Sequence, residues 1–248
     1  YWNQRGELNF DRAESLLQRA LALEPEFARA HAALADVWLM RATYRQLGGG
    51  FEVSRELAQL RASTSRASEL DPTLVDPLAA RAYGLMLENR RTEAGNLFAD
   101  VLTRAPDNPT FLYWRALYAM NEGDFPAAQR DYAKARTYDP MSFIIWQNSG
   151  ECSLVLGRYE EAAAQAARGH EVRKGGFVQS VATQAVASWL AGHRDAAVNL
   201  ARSTRLPELQ QLPWIKAAYA VWVLRQAGHD AEALTYANDD LSTLPADS

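Results

Sequence analysis

Apolar residues along this chain recur in helical stripes. Ala94, Phe98 and Val101 fall at i, i+4 and i+7, and the stripe returns 34 residues later as Ala128, Tyr132 and Ala135. Ala13, Leu17 and Ala20 form an earlier copy. Each stripe runs into a turn that carries proline, at Pro25, Pro72, Pro106 and Pro140, the last three spaced 34 residues apart. A second kind of turn carries glycine: Glu122-Gly123-Asp124-Phe125, Leu156-Gly157-Arg158-Tyr159, Ala191-Gly192-His193-Arg194 and Ala227-Gly228-His229-Asp230. Glycine is the least strained residue in the left-handed conformation that ends a helix. Five residues after each glycine comes an alanine, at Ala128, Ala162, Ala197 and Ala233, small enough to let two helices approach closely. A bulky side chain there is expected to cost ~1–3 kcal/mol by overpacking.

A 34-residue period with two turns per period predicts an all-α chain of helix–turn–helix units. No stretch shows the sustained period-2 alternation of a strand. Seven units are expected in one domain over 1–248, at about 1–27, 28–74, 75–108, 109–142, 143–177, 178–211 and 212–248. Stacked, they form an α–α superhelix, a right-handed solenoid. The second unit is irregular, since Pro25 and Pro72 are 47 residues apart. Its surplus of 13 lies around Arg41 to Val53 and includes Gly48-Gly49-Gly50, which predicts a mobile loop followed by a lengthened second helix. The prolines are lost after Pro140, and Lys174-Gly175-Gly176 stands in the turn after the fifth unit.

These residues resemble the tetratricopeptide repeat family, carried by Trp146, Gly150, Gly157, Tyr159, Ala162, Ala135 and Pro140. Arg81 and Ser149 depart from it where the pattern prefers Leu, and Leu60 stands where it prefers Ala. A narrower resemblance lies in Leu16–Pro25 and Ala28–Asp36. It is to the carboxy-terminal repeats of bacterial signalling proteins whose output is a winged-helix DNA-binding or nucleotide-cyclase domain. The chain starts Tyr1-Trp2-Asn3 without Met, which fits a piece of such a protein.

Composition narrows the function. Hydrophobic residues make up 48% and charged residues 23%, enough for a folded core, while the net charge of −4 does not favour direct nucleic-acid binding. No apolar run reaches the ~20 residues of a membrane span. One cysteine, Cys152, leaves cytoplasm and periplasm open, with the cytoplasm preferred. The histidines His31, His170, His193 and His229 lie in different units without metal-ligand spacing, and His193 and His229 fall in equivalent turns, where exposure is expected. Glu160-Glu161 reads as two exposed neighbours at a helix start, suited to the helix dipole. Arg168, His170, Arg173 and Lys174 cluster at a helix end, with anion binding the minor alternative. The triple glycine lacks the Gly-Lys-Ser/Thr of a phosphate loop. Neither catalysis, nor a metal, nor a cofactor is expected.

The resemblance instead implies a concave groove lined by the first helix of each unit. Carried over, its positions are Ala79, Tyr83 and Met86; Tyr113, Leu117 and Met120, with Trp114 beside them and able to turn inward; Gln147, Glu151 and Leu154; Val186 and Trp189; and Trp222 and Arg225. Tyr, Met and Leu suit an apolar or extended peptide, with Gln147, Glu151 and Arg225 orienting it. The expected function is a protein- or peptide-binding scaffold that regulates an attached signalling domain. The alternatives are a small-molecule sensor that uses the groove and a self-association module. The family's cationic clamp for acidic peptide tails is not reproduced.

Overall fold

The computed structural model describes residues 7–47, 52–173, 178–204 and 213–241. The described residues form thirteen helices and no strand. In chain order they are α1 (Glu7–Leu23), α2 (Ala28–Leu47), α3 (Ser54–Leu70), α4 (Asp76–Leu87), α5 (Arg91–Arg104), α6 (Pro109–Asn121), α7 (Phe125–Tyr138), α8 (Phe143–Val155), α9 (Tyr159–Val172), α10 (Val178–Leu190), α11 (Arg194–Ser203), α12 (Pro213–Gln226) and α13 (Asp230–Leu241). α1 is a second helix, and each later pair supplies a first and a second helix. The chain divides into two compact units, Tyr1–Tyr118 and Ala119–Ser248.

The turn within a pair is built the same way in the five pairs from α4–α5 to α12–α13. Gly123, Gly157, Gly192 and Gly228 have φ of 80°, 73°, 95° and 80°, and Asn89 takes the same conformation at 58°. In each case the next N–H reaches back five residues to a helix carbonyl. The bonds run from Arg90 to Leu85, Asp124 to Ala119, Arg158 to Ser153, His193 to Ser188 and His229 to Leu224, all at 2.9 Å. This satisfies a carbonyl that the helix end leaves open. The turns between pairs use side chains. Asp71 Oδ1 accepts from the Thr73 N–H at 3.0 Å and Asp139 Oδ1 from the Met141 N–H at 3.2 Å. His31 Nε2 and Trp146 Nε1 each donate to the carbonyl of the turn proline six residues back, at 3.0 and 2.8 Å.

In the first unit, α2 packs on α1, α3 and α4, and α4 on α3 and α5. Most of the 13-residue surplus is taken up in helix: α2 runs to Leu47 with 20 residues and α3 has 17, against 12 in α4 and 14 in α5. The expected loop around Arg41 to Val53 is therefore corrected over Arg41–Leu47, which is helical. Charge pairing holds this added length. Arg41 bridges Asp11 and Glu14 of α1 at 2.6 and 2.8 Å, and Arg45 meets Glu56 of α3 at 2.9 Å. Gly48–Gly50 lie outside the described residues.

Two departures from the repeat pattern have packing reasons. Leu60, fully buried, fills the space over Gly84, where a Cβ would come within 2.5 Å of its Cδ2. Arg81 takes part in a charge cluster around Glu88, whose carboxylate also meets Arg61 and Arg90 at 2.8 and 3.2 Å. These guanidinium donors hold Glu88 below the usual carboxylate range despite its partial burial. Ser149 is buried, and its Oγ has no hydrogen-bond partner among the described residues.

In the second unit, α8 packs on α7 and α9, α10 on α8, α9, α11 and α12, and α12 on α11 and α13. The small-residue positions behave as expected: Ala128, Ala162, Ala197 and Ala233 are at most 1% exposed. A Cβ on Gly150 would lie 3.2 Å from the Ala162 carbonyl oxygen, a measure of how closely α8 and α9 approach. Cys152 is buried and donates to the Phe125 carbonyl of α7 at 3.4 Å, and burial pushes its pKa up to about 11. At pH 8 a disulfide reagent should modify the native thiol on the order of 100-fold more slowly than in the urea-unfolded chain. Equal rates would show that the thiol is open to solvent.

Candidate functional site

In the second unit α10 lies between α8 and α12, so these three first helices share a face. Its centre is polar. Glu151 Oε1 accepts from Gln147 Nε2 on the same helix at 2.9 Å and from Gln179 Nε2 of α10. Gln147 Nε2 also donates to Thr183 Oγ1 of α10 at 3.0 Å. Gln147 is fully buried, and its Oε1 has no hydrogen-bond partner among the described residues. Glu151 lies deep among the helices but keeps some accessible surface. Burial pushes its pKa up, and the two amide donors only partly oppose that. Tyr219 of α12 is raised as well, by burial and by the Glu151 charge.

An apolar border adjoins this centre. Leu154 of α8, Trp189 of α10 and Tyr219 of α12 pack on a buried cluster that contains Val186, Val223 and Leu224. Trp222, on α12, is 37% exposed, high for so large an apolar side chain. Leu154 follows Glu151 by three residues and Val186 follows Thr183 by three, so each apolar group shares a helix face with a polar one.

The expected groove residues have unequal fates. Gln147 and Glu151 are hydrogen-bonded to each other, while Val186, on α10, lies in a buried cluster against which Trp189 packs. The Trp189 ring carries the Arg194 guanidinium 4.0 Å from its centroid. Arg225 is 70% exposed and lies 3.7 Å from Asp230, across the α12–α13 turn. In the first unit Ala79, Tyr83, Tyr113 and Trp114 are buried, and Tyr83 and Trp114 stack with centroids 5.7 Å apart. Trp114 thus turns inward. Met86 and Leu117 are partly exposed there, and Met120, in the second unit, accepts the Tyr132 hydroxyl at Sδ, 3.2 Å away. Gln179, Thr183 and Tyr219 carry no sequence signal that marks them for this site. They lie 28 to 36 residues or more from the groups they serve, and only helix packing joins them.

A second polar assembly lies between α7, α8 and α9. Gln129 donates to Ser153 Oγ and Glu161 Oε1 at 2.8 and 2.9 Å, and Gln165 links the same two groups. Glu161 therefore accepts from the interior, unlike the two exposed neighbours expected at Glu160-Glu161. Glu160 is 71% exposed and pairs with the exposed His193 at 3.0 Å. Beside this assembly is a cavity of ≈580 Å³ lined by Arg136, Trp146, Gln165 and Arg168, among others. Arg136 stacks 4.9 Å over Trp146. Of the sequence cluster at the end of α9, Arg168 pairs with Glu171 at 3.0 Å, Arg173 lies over the Phe143 ring, and Lys174 falls outside the described residues. No group of residues able to hold a metal occurs among the described residues, nor does a helix long and apolar enough to cross a membrane.

Paired helices, glycine-ended first helices and alanine-spaced second helices define a helical repeat scaffold. The tetratricopeptide repeat family model matches residues 4–44, 80–128 and 115–176, more than half of the chain, and the protein belongs to that family. No curated protein matches it by sequence. Among solved structures it is similar to the human IFIT1 dimer with m7Gppp-AAAA, at a TM-score of 0.79 and 14% identity over 96% of this chain; it spans 55% of that one. It is also similar to PilW, a type IV pilus biogenesis factor, at a TM-score of 0.64 and 19% identity, covering 86% and 94% of the two chains. YrrB, a repeat protein with an unusual peptide-binding site, matches at a TM-score of 0.50 and 16% identity, covering 88% and 97%. At these identities the likeness is one of fold.

Proposed function

We propose that the protein is a non-catalytic scaffold that binds a protein or peptide on the shared face of α8, α10 and α12. The observation that carries this is the pairing of accessible apolar surface, Trp222 with Leu154 and Trp189, with a polar centre at Glu151. Binding faces combine aromatic anchors with a few placed polar groups in this way. The family favours the reading, since its repeats typically serve protein interaction, and so does the peptide-binding site of YrrB. The resemblance of Leu16–Asp36 to bacterial signalling repeats suggests that partner binding regulates an attached output domain.

Trp222 tests this, because its side chain is exposed enough to remove without opening the core. Peptides selected from a random display library against the whole chain should bind Trp222→Ala about 30-fold more weakly, the loss of a hot-spot residue worth ~2 kcal/mol. Helicity by circular dichroism should stay the same. Peptides that bind wild type and variant equally would place the interaction elsewhere.

A further inference from the structure

We propose that this face recognises a basic partner, and that Glu151 is the acceptor for a lysine or arginine side chain delivered by that partner. The inference rests on the binding face proposed above and specifies its chemistry. Pro25, Pro72, Pro106 and Pro140 give a common register for the first helices. Eleven residues after Pro25, Pro72 and Pro106 stand Asp36, Tyr83 and Leu117; eleven after Pro140 stands Glu151. A carboxylate departs from the Tyr83 and Leu117 counterparts, and unlike Asp36, whose Oδ1 has no partner among the described residues, Glu151 gathers two amide donors at one oxygen.

The structural work of Glu151 does not need a charge. Its Oε1 gathers the amides of Gln147 and Gln179. A glutamine in its place would offer the same carbonyl acceptor to both amides, without the penalty of an ion among packed helices. The charge therefore calls for another explanation, and a cation in the bound state supplies one. Among the described residues no lysine, arginine or histidine pairs with Glu151, so the carboxylate has only neutral donors. Its Oε2 accepts no hydrogen bond from them, and the residue retains accessible surface.

The surroundings fit a long basic side chain. Leu154, partly exposed and three residues on from Glu151, offers apolar surface on the same face of α8, where the methylene stem of lysine or arginine can lie. Burial and the Glu151 charge raise the pKa of the Tyr219 hydroxyl, which puts this tyrosine of α12 within electrostatic reach of the carboxylate. The groups hydrogen-bonded to Glu151 are Gln147 of α8 and Gln179 of α10, which do not titrate. The raised pKa of Glu151 adds a consequence: a cation arriving at the carboxyl lowers that pKa, so binding expels protons.

The display-selected peptides provide the test, with sensitivity to Trp222→Ala marking those that occupy this face. Such peptides should share a lysine or arginine whose replacement by glutamine weakens binding to wild type by about 10-fold or more. The same replacement should change affinity for Glu151→Gln by less than about 2-fold, since the partner charge is already lost. Calorimetry in buffers of different ionisation enthalpy, over a pH series, should show proton release with wild type and none with Glu151→Gln. Peptides that need Trp222 but lose equal affinity in both proteins on glutamine replacement would overturn the basic-partner inference and leave the binding face standing. So would peptides that bind wild type with no proton release at any pH. If no selected peptide depends on Trp222, the face itself is wrong, and the inference falls with it.

Discussion

Tyr132→Ala is expected to destabilise the protein by ~3–5 kcal/mol, while Tyr132→Phe stays within about 1 kcal/mol of wild type. Tyr132 is fully buried on α7 and heads the largest fully enclosed side chains. Its truncation removes the apolar ring and leaves a cavity that packed helices only partly close. The hydroxyl contributes less, since a hydrogen bond is worth about 1 kcal/mol net, well below the burial of an aromatic ring; one of its contacts is to the Met120 thioether at 3.2 Å. Repeat proteins are coupled mainly through neighbouring repeats, so the loss should begin locally. Hydrogen exchange in α7, α8 and α9 should quicken before that in α12 and α13. Urea titration of both variants gives the energies. A Tyr132→Ala loss below ~1 kcal/mol would mean that the site collapses around the missing ring.

The position of Tyr132 shows how far the fold can be read from the chain. Phe98, Tyr132, Ala166 and Ala201 occupy it in successive second helices, nine residues after the turn residue, and all are fully buried. Spacing alone identifies such positions because helix geometry is local: one stripe, one turn glycine and one alanine define a pair. Gly123 and its counterparts take the conformation their turns demand for the same reason. The partners of polar groups are another matter. Glu161 looks like an exposed member of an acidic pair until Gln129, 32 residues away, is brought against it. Arg81 looks like a fault in the pattern until Glu88 gathers three arginines. The surplus in the second unit looks like loop because its glycines dominate the reading, yet Arg41 and Arg45 have acidic partners on flanking helices that favour extending α2 and α3. At the candidate site Gln147 and Glu151 are legible from repeat register. Gln179 and Tyr219 are not, since their role depends on how α10 and α12 stack on α8.

Asp36→Asn is expected to stabilise the protein at pH 8 by a few kcal/mol and to have little effect at pH 4. Asp36 lies eleven residues after Pro25, the register position that Glu151 holds after Pro140, a correspondence that could have marked it from sequence. It faces inward on α2, where Oδ1 finds no hydrogen-bond partner among the described residues. Burial, and secondarily the Asp76 carboxylate, push its pKa up from 3.8 to about 8. A carboxyl whose folded pKa is raised binds its proton more tightly in the native state than in the unfolded one. Stability from this group is therefore full below pH 3.8, declines as pH rises, and is gone above about 8. A tenfold difference in proton affinity between the folded and unfolded chain corresponds to about 1.4 kcal/mol, so the effect is large even after allowing for the part of Asp36 that stays near water. Asparagine keeps the shape, carries no charge and removes this slope. Urea unfolding of both proteins at pH 4, 6 and 8 should give stability curves that separate progressively toward high pH. Parallel curves would show that Asp36 is solvated or matched by a cation, and that burial at this register position does not carry the electrostatic penalty assigned to it.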